Sequence, residues 1–273
     1  MTKRSAIATA AAILLLGSPL AAKKYEPTLP GQAVVLAGET MQVQVVVDQD
    51  VIATNVDIGR VAPSVSGGGL IGALIIAGKD RDRKREHIAL AEERADANAA
   101  PIRNALADFD VLALADAATA QAFPGASIVG GGNGAGNKPS VIAYSYGLSP
   151  DFTQVRVTAD LAIIPTAGSP TVMRQRITSI VELDERSYDD DDNAERWAQD
   201  DGARARHALE TAFARLAETM PKLMAMDAGT FASLTHKGKP KAFLAGFYGP
   251  VVIEDEGGKV IWTPQGAVAS QKL

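Results

Sequence analysis

The sequence predicts an α+β fold: an antiparallel sheet built from long hairpins, with two long helices packed on one face. Residues 153–165 and 171–183 alternate apolar with polar side chains, which is typical of strands that bury one face. Residues 80–108 and 193–226 repeat apolar side chains mostly at spacings of three and four, which is typical of helices that dock on a sheet. Strands precede a long helix in both halves of the chain, as in α+β proteins.

The first 22 residues have the order of a secretory signal peptide. Lys3 and Arg4 precede an almost unbroken apolar run at residues 6–16, and small residues follow before a pair of lysines. The apolar run is too short to span a bilayer. We therefore expect residues 1–22 to be removed and the mature chain to be exported to the periplasm of a Gram-negative bacterium.

The composition limits the chemistry open to an exported chain. The formal charge is −5, and it becomes −7 when Lys3 and Arg4 leave with the signal peptide. An acidic domain is a poor candidate for sequence-independent nucleic-acid binding, which needs a basic surface. The chain has no cysteine, so it has no disulfide, no thiolate metal site and no cysteine nucleophile. Because export also removes cytosolic ATP and NAD, we expect no cofactor and no nucleic-acid partner.

Residues 23–123 form a predicted strand-plus-helix region. The long helix at 80–108 contains Pro101, which should kink or restart it. The apolar run at 111–114 reads as a strand, and a short helix follows at 115–123. The other strands expected in this region are residues 33–36, 42–47 and 51–58.

An apolar stretch at residues 67–78 precedes the long helix and is followed by a mixed, mostly basic run at 79–85. Its 12 residues fall short of a membrane span, which favours a helix start buried against the sheet. The alternative is peripheral contact with an anionic membrane surface or with a partner. The side chains that would make this contact are Leu70, Ile71, Leu74 and Ile75.

Residues 124–140 form a Gly/Asn-rich loop, and residues 141–273 form a hairpin-helix-hairpin region that we expect to share one domain with 23–123. An acidic loop begins the long helix at 193–226, and Pro221 should bend that helix near its end. A cluster of aromatic residues precedes the last hairpin. The further elements expected here are a strand at 141–147 and a closing hairpin of 251–253 with 259–262.

The segment around Ser145 imitates a nucleophile elbow, with alanine in place of the first glycine. An elbow needs a sharp turn from a strand into a helix, whereas Leu148 to Asp151 here lead into another strand. The downstream histidines, His207 and His236, lie on a charged helix and in a lysine-rich loop. These features favour an outward-facing serine at a strand end, and Ser145 remains a candidate nucleophile only under the alternative of an envelope hydrolase.

Asp189, Asp191 and Asn193 match the first three ligand positions of a calcium loop. The sixth position should be glycine and is Ala194, and the twelfth should be glutamate and is Asp200. Carboxylates at this point are better explained by the exposed amides at the start of the following helix.

These observations predict an exported, non-catalytic protein that acts by binding a protein partner in the cell envelope, for example in envelope assembly or as an accessory subunit. One alternative is a serine-type envelope hydrolase that uses Ser145. The other is a membrane-surface protein that makes contact through residues 67–78.

Overall fold

The computed structural model describes residues 27–30, 41–47, 49–55, 70–129, 139–164 and 173–273, without the side chains of 70–85. The predicted signal peptide, the strand expected at 33–36, the end of the one expected at 51–58 and most of the Gly/Asn-rich loop lie outside the described residues.

The described chain contains nine strands and four helices. The strands are β1 (Gln42–Val47), β2 (Ser127–Val129), β3 (Ser140–Leu148), β4 (Gln154–Ile163), β5 (Met173–Glu182), β6 (Lys241–Leu244), β7 (Phe247–Asp255), β8 (Gly258–Thr263) and β9 (Gly266–Lys272). The helices are α1 (Leu70–Ala105), α2 (Val111–Ala122), α3 (Asp190–Met224) and α4 (Ala228–Thr235).

The α+β class is confirmed, but the sheet is mixed, so the expectation of a purely antiparallel sheet is wrong. The strand order is β2-β1-β3-β4-β5-β9-β8-β7-β6. Strand β1 runs parallel to both β2 and β3, and β9 runs parallel to β5. Parallel neighbours need long crossover connections. Helices α1 and α2 separate β1 from β2 and β3, and α3 lies between β5 and β9.

The long central hairpin is confirmed. Strands β4 and β5 pair antiparallel from Gln154 with Glu182 to Ile163 with Met173. The apolar positions of β4, from Val155 to Ile163, are buried on the face that we call the inner face. Helix α3 packs against β4 and β5, and both α1 and α2 pack on α3.

The predicted apolar stripe of α3 is buried, and it includes Trp197, Phe213 and Leu216. The helix continues past Pro221 to Met224, and it is interrupted earlier, at residues 199–202, where Gln199 is extended and the next three residues have positive φ. The end of α1 packs at this interruption, where Arg206 donates a hydrogen bond to the carbonyl oxygen of Ala105.

One further expectation is corrected in the first half of the chain. Residues 111–114 are the first turn of α2 and not a strand, because the Asp110 carboxylate caps the helix by accepting a hydrogen bond from Ala113 N–H. Helix α1 starts at Leu70, within the stretch where a helix start is favoured by the sequence, and it runs through Pro101 to Ala105. A short apolar run does not by itself distinguish a strand from a helix.

A second, smaller core lies on the opposite, outer face of the sheet. Its buried members are Ile180, Ile261 and Val268, from β5, β8 and β9. The partly buried residues packed on it come mainly from β6 and β7: Ala242, Leu244, Ala245, Phe247 and Val251. The β6–β7 hairpin therefore lies over the outer face, which no helix covers within the described residues.

Candidate interaction surface

The β6–β7 hairpin closes through a two-residue turn. Leu244 pairs with Phe247, so Ala245 and Gly246 are the two central residues of the turn. Their φ angles are +48° and +86°, which is the arrangement of a type I′ turn. Glycine adopts this conformation freely, whereas alanine adopts it at a cost, so Ala245 is a strained position.

The two faces of the hairpin have different environments. Leu244 and Phe247 pack on the small outer core. Phe243 and Tyr248 form the neighbouring cross-strand pair and lie on the other side, where they are 73% and 55% exposed. Their ring centroids are 5.5 Å apart, and Lys241 Nζ lies 5.4 Å from the centroid of the Tyr248 ring. We call Lys241, Phe243 and Tyr248 the hairpin face.

Three lysines lie on β6 or just before it, although the chain as a whole is acidic. Lys237, Lys239 and Lys241 lie in or just before β6, and all three residues are exposed. None of the three forms an ion pair with a described residue, whereas most arginines of the described chain do. The hairpin face is thus an exposed aromatic pair beside unpaired lysines.

Close packing holds the hairpin against the sheet. The β7 strand has a bulge between Val251 and Ile253, which re-aims its first half. At Gly249 the two backbones come so close that a Cβ atom would lie 2.1 Å from the carbonyl oxygen of Trp262. The guanidinium of Arg156 on β4 lies 5.6 Å from the centroid of the Phe247 ring, within the range of a cation–π contact.

A polar cleft of about 470 Å³ lies between the hairpin tip, the start of β4 and the end of β5. Its side chains bond to one another: Gln154 Nε2 donates to Glu182 Oε1 at 3.0 Å, and Arg186 Nη2 donates to the same oxygen at 2.6 Å. Burial alone would raise the pKa of Asp151, but hydrogen bonds from Ser149 and Thr153 outweigh it and lower that pKa. The polar side chains of the cleft are therefore hydrogen-bonded to one another beneath the hairpin tip.

The chain matches no protein-family model, no curated protein and no solved structure. The residues singled out by the sequence are therefore described by their place in this fold. Ser145 is exposed on the outer face of β3, opposite Thr158 of β4. Its neighbours Tyr144 and Tyr146 are buried on the inner face, where the Tyr144 ring contacts Phe213 of α3.

The structure does not bring Ser145 and His207 together. His207 lies on α3, which packs on the inner face, and its side chain is exposed with Glu210 3.9 Å away. His236 lies at the end of α4, exposed, where its Nδ1 accepts a weak hydrogen bond from Gly238 N–H. Within the described residues, neither histidine forms a hydrogen bond or an ion pair with Ser145.

Two of the three candidate calcium ligands, Asp189 and Asn193, hold the start of α3, and the carboxylate of the third, Asp191, accepts a hydrogen bond from Asn98 of α1. Asp189 is the N-cap residue, and its carboxylate accepts a hydrogen bond from Asp191 N–H. Asn193 is buried, and its amide bonds to the backbone of Ser187 and Asp151. In the described part of the chain, no group of three histidine, aspartate or glutamate side chains is placed to hold a metal ion.

Leu70, Ile71, Leu74 and Ile75 lie in the first two turns of α1, and their side chains are outside the described structure. Whether they are buried or make contact with a membrane therefore stays a prediction. Among the helices described, none is both long enough and apolar enough to cross a bilayer.

Sequence reasoning found the aromatic cluster but not the β6–β7 hairpin. Strong hairpin signals are Asn-Gly or Asp-Gly turns, and here the turn is Ala245-Gly246. A weaker hairpin signal is present in the sequence: the apolar run that ends at Leu244 is followed by Ala245-Gly246 and then by two aromatic residues. Which of the aromatic side chains are exposed depends on the outer core, and local sequence does not reveal that core.

Proposed function

We propose that this protein is exported to the periplasm and acts without catalysis, by binding a partner protein through the hairpin face. The observation that carries the proposal is the exposure of Phe243 and Tyr248, which contact each other in water on a hairpin that is otherwise anchored to the sheet.

Leaving two aromatic side chains exposed forgoes folding free energy that their burial would supply. Burial of a large apolar side chain is worth about 1.5–3 kcal/mol, so leaving two in water forgoes several kcal/mol of folding free energy. Aromatic residues are also the side chains that most often dominate binding energy at protein interfaces. Strand alternation places Leu244 and Phe247 on the core side and Phe243 and Tyr248 on the other side. The proposal accounts for the presence of aromatic residues at the two exposed positions.

The other exposed large apolar side chains of the described chain do not form a comparable surface. They lie singly on six different segments, and scattered single residues of this kind are normal on protein surfaces. These residues are Leu29, Val51, Leu90, Leu112, Ile128 and Tyr188. The hairpin face differs because its two rings are adjacent and have an unpaired lysine beside them.

Export is the second half of the proposal, and the order of residues 1–22 supports it. A partner in the cell envelope follows from that location, in envelope assembly or as an accessory subunit of a larger complex. Edman sequencing of protein recovered from the periplasmic fraction should begin near Lys23. A mature protein that retains Met1 in the cytosolic fraction would overturn this half.

The binding surface is tested by photocrosslinking in the producing cells. Benzoylphenylalanine replaces Phe243 in one variant and Leu112 in the control, since Leu112 is also a half-exposed apolar residue but lies on α2. We expect a discrete protein adduct from position 243 and none of the same mass from position 112. Equal adducts from both positions, or none from position 243, would contradict the proposal.

A further inference from the structure

The free edge of β6 carries an inference that rests on the proposed function. We propose that the partner contributes an extended, acidic segment that adds to the sheet as a strand beside β6. Strand addition of this kind gives affinity through backbone hydrogen bonds and specificity through alternate side chains.

Among the described residues, strand β6 ends the strand order and pairs with β7 on one side only. Leu244 and Phe247 flank a two-residue turn, so their backbones exchange hydrogen bonds. Hydrogen-bonded and non-hydrogen-bonded pairs alternate along an antiparallel ladder, so the N–H and C=O of Phe243, in the next pair, point away from β7. The same holds for Lys241, whose partner is Pro250, a residue with no N–H to donate.

The outward backbone groups of β6 have no partner in the described structure. Apart from its ladder with β7, no backbone hydrogen bond of the described residues involves Lys241 to Leu244. The opposite edge of the sheet, β2, has three residues and carries no aromatic side chain. Edge strands left in this state are templates for pairing with another chain.

Charge selects the class of strand that can pair here. Lysine on an edge strand discourages pairing between two copies, because like charges would face each other. An acidic strand meets the opposite condition, since Lys237, Lys239 and Lys241 have no carboxylate partner among the described residues. The lysines therefore disfavour pairing of β6 with a second copy of itself and favour pairing with an acidic strand.

The spacing of the hairpin face also specifies the order of side chains in the partner. Phe243 and Lys241 are two residues apart, so both lie on the same side of β6. A strand that pairs with β6 should place an apolar or aromatic side chain beside Phe243 and a carboxylate beside Lys241. These two side chains must be two positions apart in the partner.

The test starts from an unbiased library of random dodecapeptides displayed on phage and selected on the full chain. We expect enriched peptides to carry Asp or Glu two positions from an aromatic or aliphatic residue. The charge-reversed variant Lys239→Glu with Lys241→Glu is the matched selection target and should not enrich this pattern. Enrichment of basic peptides, or no enrichment at all, would overturn the proposal.

Backbone pairing is tested separately with the strongest enriched peptide. N-methyl groups on the alternate residues that face β6 should weaken binding roughly tenfold or more, and N-methyl groups on the residues between them should have little effect. Equal effects of the two peptides would show that the acidic segment does not bind as a strand, and would leave the proposed function intact.

Two further arms separate the failures. In the first, the peptide is bound to the double variant Phe243→Ser, Tyr248→Ser. An affinity equal to that of the wild type would contradict the proposed function itself. Vesicles that contain phosphatidylglycerol are the second probe. Binding to these vesicles through the same two residues, with no enriched peptide, would assign the face to a membrane and overturn strand addition.

Discussion

A buried ion pair beneath the last hairpin gives the sharpest stability prediction. Arg215 of α3 is 1% exposed, and its Nη2 lies 2.8 Å from Asp255 Oδ1 at the end of β7. The guanidinium also donates to Glu218 Oε2 at 3.0 Å and to the Gly258 carbonyl oxygen at 3.1 Å. Asp255 forms a second ion pair with Lys222. The pair joins the long helix to the β7–β8 turn.

The two ends of this pair should differ in cost when each is neutralised. Asp255→Asn leaves a fully buried guanidinium with only Glu218, which is half exposed, as a charged partner. Removing one partner of a buried pair costs 3–5 kcal/mol, and the remaining contacts place this variant at the lower end, about 3 kcal/mol. Arg215→Met removes the buried charge and leaves Asp255 near Lys222, so we expect about 1–2 kcal/mol.

Urea unfolding followed by circular dichroism measures these differences. The double variant should lose less than the sum of the single variants, because the two side chains interact directly. The reasoning is refuted if Arg215→Met proves at least as destabilising as Asp255→Asn, or if the two losses simply add.

The same ion pair should make the unfolding free energy of the protein depend on pH in the acid range. Hydrogen bonding from Arg215, followed by that from Lys222, lowers the pKa of Asp255 from 3.8 to about 2 against the opposing effect of burial. A lowered pKa in the folded state contributes stability above pH 4 that is lost as the pH falls towards 2. Asp255→Asn should therefore show a smaller loss of unfolding free energy between pH 4 and pH 2 than the wild type.

Three further changes test other parts of the fold. Ala245→Asn should raise the unfolding free energy by about 0.5–1 kcal/mol, because asparagine tolerates the left-handed conformation of a type I′ turn; a lower urea midpoint would contradict it. Gly249→Ala forces the hairpin away from Trp262 and should speed amide exchange in β6, and unchanged exchange would argue against the close approach. Burial raises the pKa of Tyr144 to about 12 despite its hydrogen bond with Thr119, so stability should fall from pH 10 to pH 12 in the wild type and less in Tyr144→Phe.

The parts of the fold that depend on local pattern could be predicted from the sequence. The alternation of Val155 to Ile163 places β4 and its buried face correctly, and the apolar stripe from Trp197 onwards places α3. The parallel pairings could not be predicted, because β1 with β3 and β5 with β9 join residues about ninety positions apart. Hairpin signals in a sequence identify only neighbouring strands that are joined by short turns.

Neither Pro101 nor Pro221 ends its helix, and packing gives a physical reason for this. The bends predicted at the two prolines stay predictions. Proline lacks one N–H and disfavours a helical residue before it, but packing on both sides can hold a helix together across that gap. Pro221 lies between Met220 and Leu223, which are fully buried. Pro101 similarly precedes the buried Ile102. The real interruption of α3 falls at 199–202, where the end of α1 packs.

The candidate site was only partly visible in the sequence. The aromatic cluster and the lysine run are both evident, but which rings face water is decided by the outer core. Leu244 and Phe247 find partners there from β5, β8 and β9, which leaves Phe243 and Tyr248 outside. Such an assignment needs the tertiary pairing of strands, which a single sequence does not reveal.

The central claim is that Phe243 and Tyr248 are exposed in order to bind a partner protein. The most direct test is amine-reactive crosslinking in the producing cells, comparing wild type with Phe243→Ser, Tyr248→Ser at equal expression. Loss of two interface aromatics should reduce the recovered adduct by about tenfold or more while the urea midpoint stays unchanged. Equal recovery of the adduct from both proteins would contradict the account.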